Sequence, residues 1–121
     1  MIGIDILDTQ RLRDMVGQPH FVQSKMFCQC EWEHYLSTGS RIETLAGIFC
    51  AKESFFKALG TGIVGLDLRD VCIQYTALGQ PFVVAHNRVR ELLGDRDTSL
   101  SISHTKDTAV AVCVLTKRCL S

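Results

Sequence analysis

Between Ile42 and Leu59 the chain carries one uninterrupted helical period, stopped by Gly60-Thr61-Gly62. Leu45, Ile48, Phe49, Phe56 and Leu59 recur at the three- and four-residue steps that share one face of an α-helix. The glycines after Leu59 supply the left-handed turn that ends such a helix. So long a helix in a chain of 121 residues has to be the central support on which the rest packs. Beside its apolar face it carries Glu53 and Lys57, one turn apart on the same side.

The segments around it read as a mixture of strands and short helices. Ile2 to Leu7 alternates, with Ile2, Ile4 and Ile6 on one face and Gly3 and Asp5 on the other. Asp8-Thr9 offers N-cap chemistry for a helix over Arg11 to Val16, ended by Gly17. Pro19 opens a second short helix through Met26, and Glu31 to Leu36 forms a third. Val71 to Tyr75 and Pro81 to Val84 are strands around a turn at Ala77 to Gln80. A helix over His86 to Leu93 stops at Gly94, and Ser99 to His104 and Ala109 to Leu115 are the last two strands. The last is apolar at nearly every position, so it is expected to be central in its sheet. The pattern predicts a single α+β domain over residues 1–121, with a small, mostly antiparallel sheet against the long helix.

Charge and cysteine usage narrow the function. Thirteen basic and thirteen acidic residues cancel, so no basic field argues for nucleic acid or a membrane surface. Met1 to Asp5 does not read as a secretory leader, and the Ala109–Leu115 run is too short to cross a bilayer, so a cytoplasmic protein is expected. In that setting six cysteines are expected to be reduced. Cys50, Cys72 and Cys113 fall within apolar patterns and read as core residues. Cys28-Gln29-Cys30 with His34 has part of a zinc spacing but lacks a second matching cysteine pair. No cysteine has a neighbouring histidine in a catalytic-looking context. Gly60-Thr61-Gly62 lacks the P-loop pattern and reads as a helix stop.

Three side chains stand out as chemistry. Asp5 is an acid in an otherwise apolar strand, which costs free energy unless it is paired or holds a metal. Asp8 is the better helix cap, which leaves Asp5 for function. Glu53 reads either as half of a surface pair with Lys57 or as a second carboxylate beside Asp5. Two carboxylates from separate elements suit Mg²⁺, which takes one or two of them and fills its octahedron with water and phosphate oxygens. Lys57 would then act as a point charge on a diphosphate. His104 follows Ser101-Ile102-Ser103 where a strand enters a turn, and reads either as a hydrogen-bonded turn residue or as a ligand contact.

Taken in order, four segments resemble the holo-acyl-carrier-protein synthases, small 4′-phosphopantetheinyl transferases. They are Gly3-Ile4-Asp5-Ile6; Ala51 to Phe55 with Lys57 to Ile63; Gly79-Gln80-Pro81; and Ser101 to Thr105. The resemblance runs from residue 2 to about 115. It implies transfer of the phosphopantetheine arm of coenzyme A to a serine of apo-acyl carrier protein, in support of fatty acid biosynthesis, with release of adenosine 3′,5′-bisphosphate. It makes Asp5 and Glu53 the Mg²⁺ ligands, and with Lys57 the catalytic group. Lys57 and His104 become contacts to coenzyme A phosphates, with Gly60, Gly62, Pro81 and Thr105 shaping the nucleotide site. Arg11 stands where the family meets its acidic carrier protein. The family is typically a homotrimer with active sites between subunits.

Two positions depart from the family pattern. Ile48 stands where an arginine usually helps to bind coenzyme A, which leaves Arg41 or Lys52 to replace the charge or the chain as a weakened coenzyme A-binding module. Cys28-Gln29-Cys30-Glu31 stands where the family often has Thr-x-x-Glu, a capping box, so Cys28 is a poorer N-cap, at about 1 kcal/mol. A purely structural trimer, with Glu53 and Lys57 as surface decoration, is the remaining alternative.

Overall fold

A computed structural model describes residues 1–63 and 65–118. The element order is β1 (Ile2–Asp8), α1 (Thr9–Val16), α2 (Gln29–Ser37), α3 (Ile42–Leu59), β2 (Val71–Tyr75), β3 (Pro81–Ala85), α4 (Asn87–Leu93), β4 (Asp97–His104) and β5 (Thr108–Thr116). The architecture is α+β, as expected. One antiparallel sheet has the order β1-β5-β4, and β2 pairs with β3 in a separate hairpin. The apolar β5 is the central strand of its sheet. The long helix α3 has the bounds read from its periodicity, and all five residues assigned to its core face are buried.

The core lies between α3 and the inner face of the three-stranded sheet. Leu7, Ala109, Ala111, Cys113 and Leu115 pack there against Ala46, Cys50, Ala58 and their neighbours. Gly3 lets β1 press onto the helix: a Cβ on this residue would come within 2.6 Å of the Ala58 nitrogen and 3.0 Å of Lys57 Cβ. The space opposite Asp5 on that strand face is therefore filled by α3. The Ile2, Ile4 and Ile6 face points away from the core, and these side chains are 60–70% exposed.

Two expectations fail. The helix from Pro19 to Met26 reduces to a single 3₁₀ turn at Gln23–Lys25, because Val22, a β-branched residue, takes an extended conformation (φ −127°) and breaks the run. The cysteines are not all reduced: Cys28 and Cys72 form a disulfide, their Cα atoms 5.9 Å apart where β2 passes the start of α2. Cys28 is the poorer N-cap expected, its side chain making no capping hydrogen bond. Its own N–H donates to Glu31 Oε1 at 2.8 Å, so half of the capping box forms through the backbone.

Beneath that disulfide lies the most buried ion pair. Lys52 Nζ is 2.6 Å from Glu31 Oε1, both side chains fully buried. Lys52 also donates to Met26 O, and Glu31 Oε2 accepts the N–H of Ile73. Burial pushes Glu31 up and Lys52 down, while three donors on the carboxylate hold the pair charged. Lys52 is thus a tie between α3, α2 and β2.

Candidate active site

Two groups of polar residues emerge on opposite flanks of the three-stranded sheet. The first lies where β1 crosses α3. Asp5 is buried, with its side chain 10% exposed, and Lys57 Nζ stands 3.1 Å from its Oδ1. The same ammonium donates to Ile4 O at 3.0 Å. Lys57 therefore pairs with Asp5 rather than with Glu53, and the expected surface pair along the helix does not form. The close approach at Gly3 brings the strand within its reach.

Glu53, half-buried, shares this corner. Burial raises its pKa, and the neighbouring Asp5 raises it further, while Arg11 on α1 and Lys57 pull it down. Two acids crowd each other here with cations on either side. Arg11 is exposed on α1, close enough to act on Glu53 electrostatically. Gly60, with φ +81°, ends α3 by donating its N–H to Lys57 O, and Gly62 is also left-handed, so the segment is a helix stop as read.

The fit of this corner to a divalent cation follows from its donors. Asp5 and Glu53 offer hard carboxylate oxygens, and the mutual charge that pushes Glu53 up is what a cation relieves. Among the described residues no cluster of three or more His, Cys, Asp or Glu forms. Two protein carboxylates suit Mg²⁺, which keeps water and substrate oxygens, better than zinc. The partial zinc spacing is overturned: Cys28 is spent in the disulfide, and His34 stacks on Tyr75.

The second group lines a cleft of ≈ 190 Å³ between α3, the β2–β3 hairpin and the end of β4. Gly79, Pro81 and His104, all expected at the nucleotide site, lie on its wall. Glu43 and Tyr75, which sequence reasoning passed over, lie there too, with His34, which it weighed only for zinc. Gly79, at φ +86°, donates to Thr76 O and completes the turn that presents Pro81. Thr105 is not in this lining. Its hydroxyl accepts from the N–H groups of Asp107 and Thr108, and its own N–H donates to Thr108 O, so it shapes the turn after His104.

The register separates the two groups. Asp5 of β1 and Ile102 of β4 both pair with Ala111 of the central strand, which places them on opposite edges, about 10 Å apart. Ile48 lies in neither group, being fully buried in the core. Of its two candidate substitutes, Lys52 is overturned by its buried pairing, while Arg41 is exposed at the start of α3. A thiol enzyme finds no support among the described residues: burial pushes Cys30 and Cys50 up and Cys113 to about 11, away from a reactive thiolate.

The sequence profile described as the 4′-phosphopantetheinyl transferase superfamily matches residues 1–113. The chain belongs to this superfamily. It is 37% identical over 121 residues to a holo-[acyl-carrier-protein] synthase of Clostridium perfringens, covering 94% of this chain and 91% of that one. It is 40% identical over 119 residues to the Caldicellulosiruptor bescii protein of the same name, covering 96% and 97%. Among solved structures, the Helicobacter pylori holo-[acyl-carrier-protein] synthase in complex with coenzyme A superposes with a TM-score of 0.84 at 28% identity, over 96% of this chain and all of that one. As a member of the 4′-phosphopantetheinyl transferase superfamily, the chain has a fold that accounts for its motifs: Gly3 and Asp5 at the strand–helix crossing, Glu53 and Lys57 on that helix.

Proposed function

We propose that this protein transfers the 4′-phosphopantetheine arm of coenzyme A to a serine of apo-acyl carrier protein, releasing adenosine 3′,5′-bisphosphate and serving fatty acid biosynthesis. The observation that carries this reading is the corner where Lys57 reaches the buried Asp5 while Glu53 crowds the same charge. Asp5 and Glu53 would hold Mg²⁺. When bound, the ion supplies positive charge to a diphosphate and polarises the phosphorus.

The chain's own residues do the positioning. Lys57, about half exposed, is free to turn from Asp5 to a phosphate oxygen and neutralise it as a point charge. His104 faces the nucleotide cleft at the strand end, with Pro81 on the same wall. Thr105 holds the turn that fixes His104. Gly60 and Gly62 carry the chain away from Lys57 without a side chain in the way. Arg11, exposed on the helix beside the carboxylates, meets the acidic carrier protein and brings its serine to this corner.

A homotrimer completes the site. Support comes from two features of the fold. Ile2, Ile4 and Ile6 form an exposed apolar row, continued by Val110, Val112 and Val114, their register partners on β5. Such a face favours burial against another copy. The metal pair and the His104 cleft lie on opposite flanks, so a ring of copies sets one flank against the next. No described helix is long and apolar enough to cross a membrane.

The test is ligand-dependent stabilisation. Coenzyme A with Mg²⁺ should raise Tm by several degrees at concentrations well above Kd, because both bind only the native state. Either one alone should raise it less. No shift with both present, for a protein shown to be folded, contradicts the assignment.

A further inference from the structure

The Cys28–Cys72 bond is the one disulfide among the described residues, and the transfer chemistry has no use for it. It joins the N-cap of α2 to the start of β2. Two further contacts continue the seam between these elements. Glu31 accepts the Ile73 N–H, and His34 stacks on Tyr75, ring centroids 3.9 Å apart. Cys28, Glu31 and His34 stand three residues apart, so all three ties lie on one side of α2. The far end of the seam is part of the site, because His34 and Tyr75 both line the cleft beside His104. The sulfurs and the cleft wall thus lie at two ends of one packed seam.

The bond is placed so that it can open. Cys28 is partly exposed and Cys72 is buried. A groove of ≈ 270 Å³, lined by Cys28, Trp32, Arg69 and Cys72 among others, leads to both from solvent. The reduced state already has its partners. Arg69 O lies 3.3 Å from Cys28 Sγ and 3.6 Å from Cys72 Sγ, and Val71 O lies 3.6 Å from Cys28 Sγ. A disulfide has no proton to give these carbonyls, whereas two thiols do. When the sulfurs part, the buried Lys52–Glu31 pair still joins α3 to α2, and Glu31 still holds the Ile73 N–H. Cys30 stays out of the exchange: burial and then Glu31 push its thiol up, away from the thiolate that exchange requires.

We propose that the Cys28–Cys72 pair is a redox switch on the affinity for coenzyme A. Closed, the bond pins α2 to β2 and keeps the His34–Tyr75 wall in place before the ligand arrives. Open, the seam loses its covalent end, and binding has to order the wall, which weakens affinity. The opening step is thiol–disulfide exchange with a dithiol reductant. One thiolate of the dithiol attacks Cys28 Sγ, the bond to Cys72 breaks, and Cys72 leaves as a thiolate that takes up a proton. The second thiolate of the reductant attacks its own sulfur in the mixed disulfide and releases Cys28, which is protonated in turn. The protein gains two electrons and two protons, and the dithiol becomes a disulfide. The inference rests on the transferase reading above and adds its regulation.

The experiment measures KM and kcat for coenzyme A on full-length wild type, oxidised and after reduction with dithiothreitol. Alkylation followed by peptide mass mapping reports the state of each cysteine. C28S, C72S and C30S are run beside it, with a Tm for each. Reduction should raise KM about 5-fold with kcat little changed, and reoxidation should restore it. C28S and C72S should show the raised KM in both conditions, whereas C30S should respond as wild type does. Equal KM in the two states, with alkylation showing that the pair has opened, overturns the switch. So does a pair that excess dithiothreitol leaves closed in the folded protein. A C28S variant that still responds to the reductant overturns it as well, by placing the response in another thiol. A wild type that neither transfers nor is stabilised by coenzyme A in either state overturns the transferase reading, and the switch with it.

Discussion

Asp5 is where one residue decides most. It is the acid on the inner face of an apolar strand, and its partner Lys57 comes from the helix that Gly3 lets approach. Asp5→Ala should lower transfer by about 100-fold or more while leaving the fold intact, since a charge aimed at the reacting phosphates is removed. Steady-state kinetics with Tm as the folding control checks this; near-normal activity removes Asp5 from the site. Glu53 gives a pH signature. Burial and then Asp5 hold its pKa above the ordinary 4.5, so the folded state keeps this proton to higher pH than the unfolded chain does. Stability from this group is therefore lost as pH rises from about 4.5 through the raised value, and a divalent cation offsets that loss. The Tm gain on adding Mg²⁺ should grow from pH 5 to pH 8; a gain independent of pH contradicts the pairing with Asp5. Asp5, Glu53 and Lys57 were all legible as candidates, because an acid in an apolar strand and a charged pair on a helix are local patterns. That Lys57 reaches Asp5 was not, since the choice depends on how closely two distant segments approach.

At the scale of elements, α2 and β2 are held together by ties that no local pattern announces. The helix, the hairpin and the long support helix were all legible from period, capping and turn residues. The disulfide was not, because residues 28 and 72 meet only when β2 docks against the start of α2. The Glu31–Lys52 pair was hidden for the same reason, although the Cys-x-x-Glu spacing marked Glu31 as a cap. The helix expected from Pro19 was lost where an extended Val22 interrupted it. Breaking the Cys28–Cys72 link should cost about 2–4 kcal/mol, because it closes a loop of 44 residues in the unfolded chain. Tm with and without a phosphine reductant, and Tm of Cys72→Ser, report this. The reductant should lower the wild-type Tm by several degrees and leave the variant unchanged, whereas an unresponsive wild type shows that the bond contributes nothing in solution.

For the whole molecule, the feature that the sequence leaves open is the direction in which β1 faces. Its alternation was plain in the sequence, yet the isoleucine row lies outside and the Gly3–Asp5 row inside. Periodicity gives two faces, and only the packing of α3 chooses between them. The outward row, with Val112 beside Ile4 across the register, is the surface on which we expect copies to meet. Ile4→Lys should dissociate the assembly, as a charge cannot be left unpaired in a buried interface. Sedimentation velocity should show the wild type near three times the chain mass and the variant near one, with transfer lost in parallel; a monomeric but fully active wild type contradicts the shared site. The central claim concerns the reaction itself. Intact-mass spectrometry of an apo-acyl carrier protein incubated with this protein, coenzyme A and Mg²⁺ reads it directly. We predict a mass gain of one phosphopantetheine group that EDTA abolishes; an unchanged carrier mass, across several carrier proteins and with the protein shown to be folded, would contradict the account.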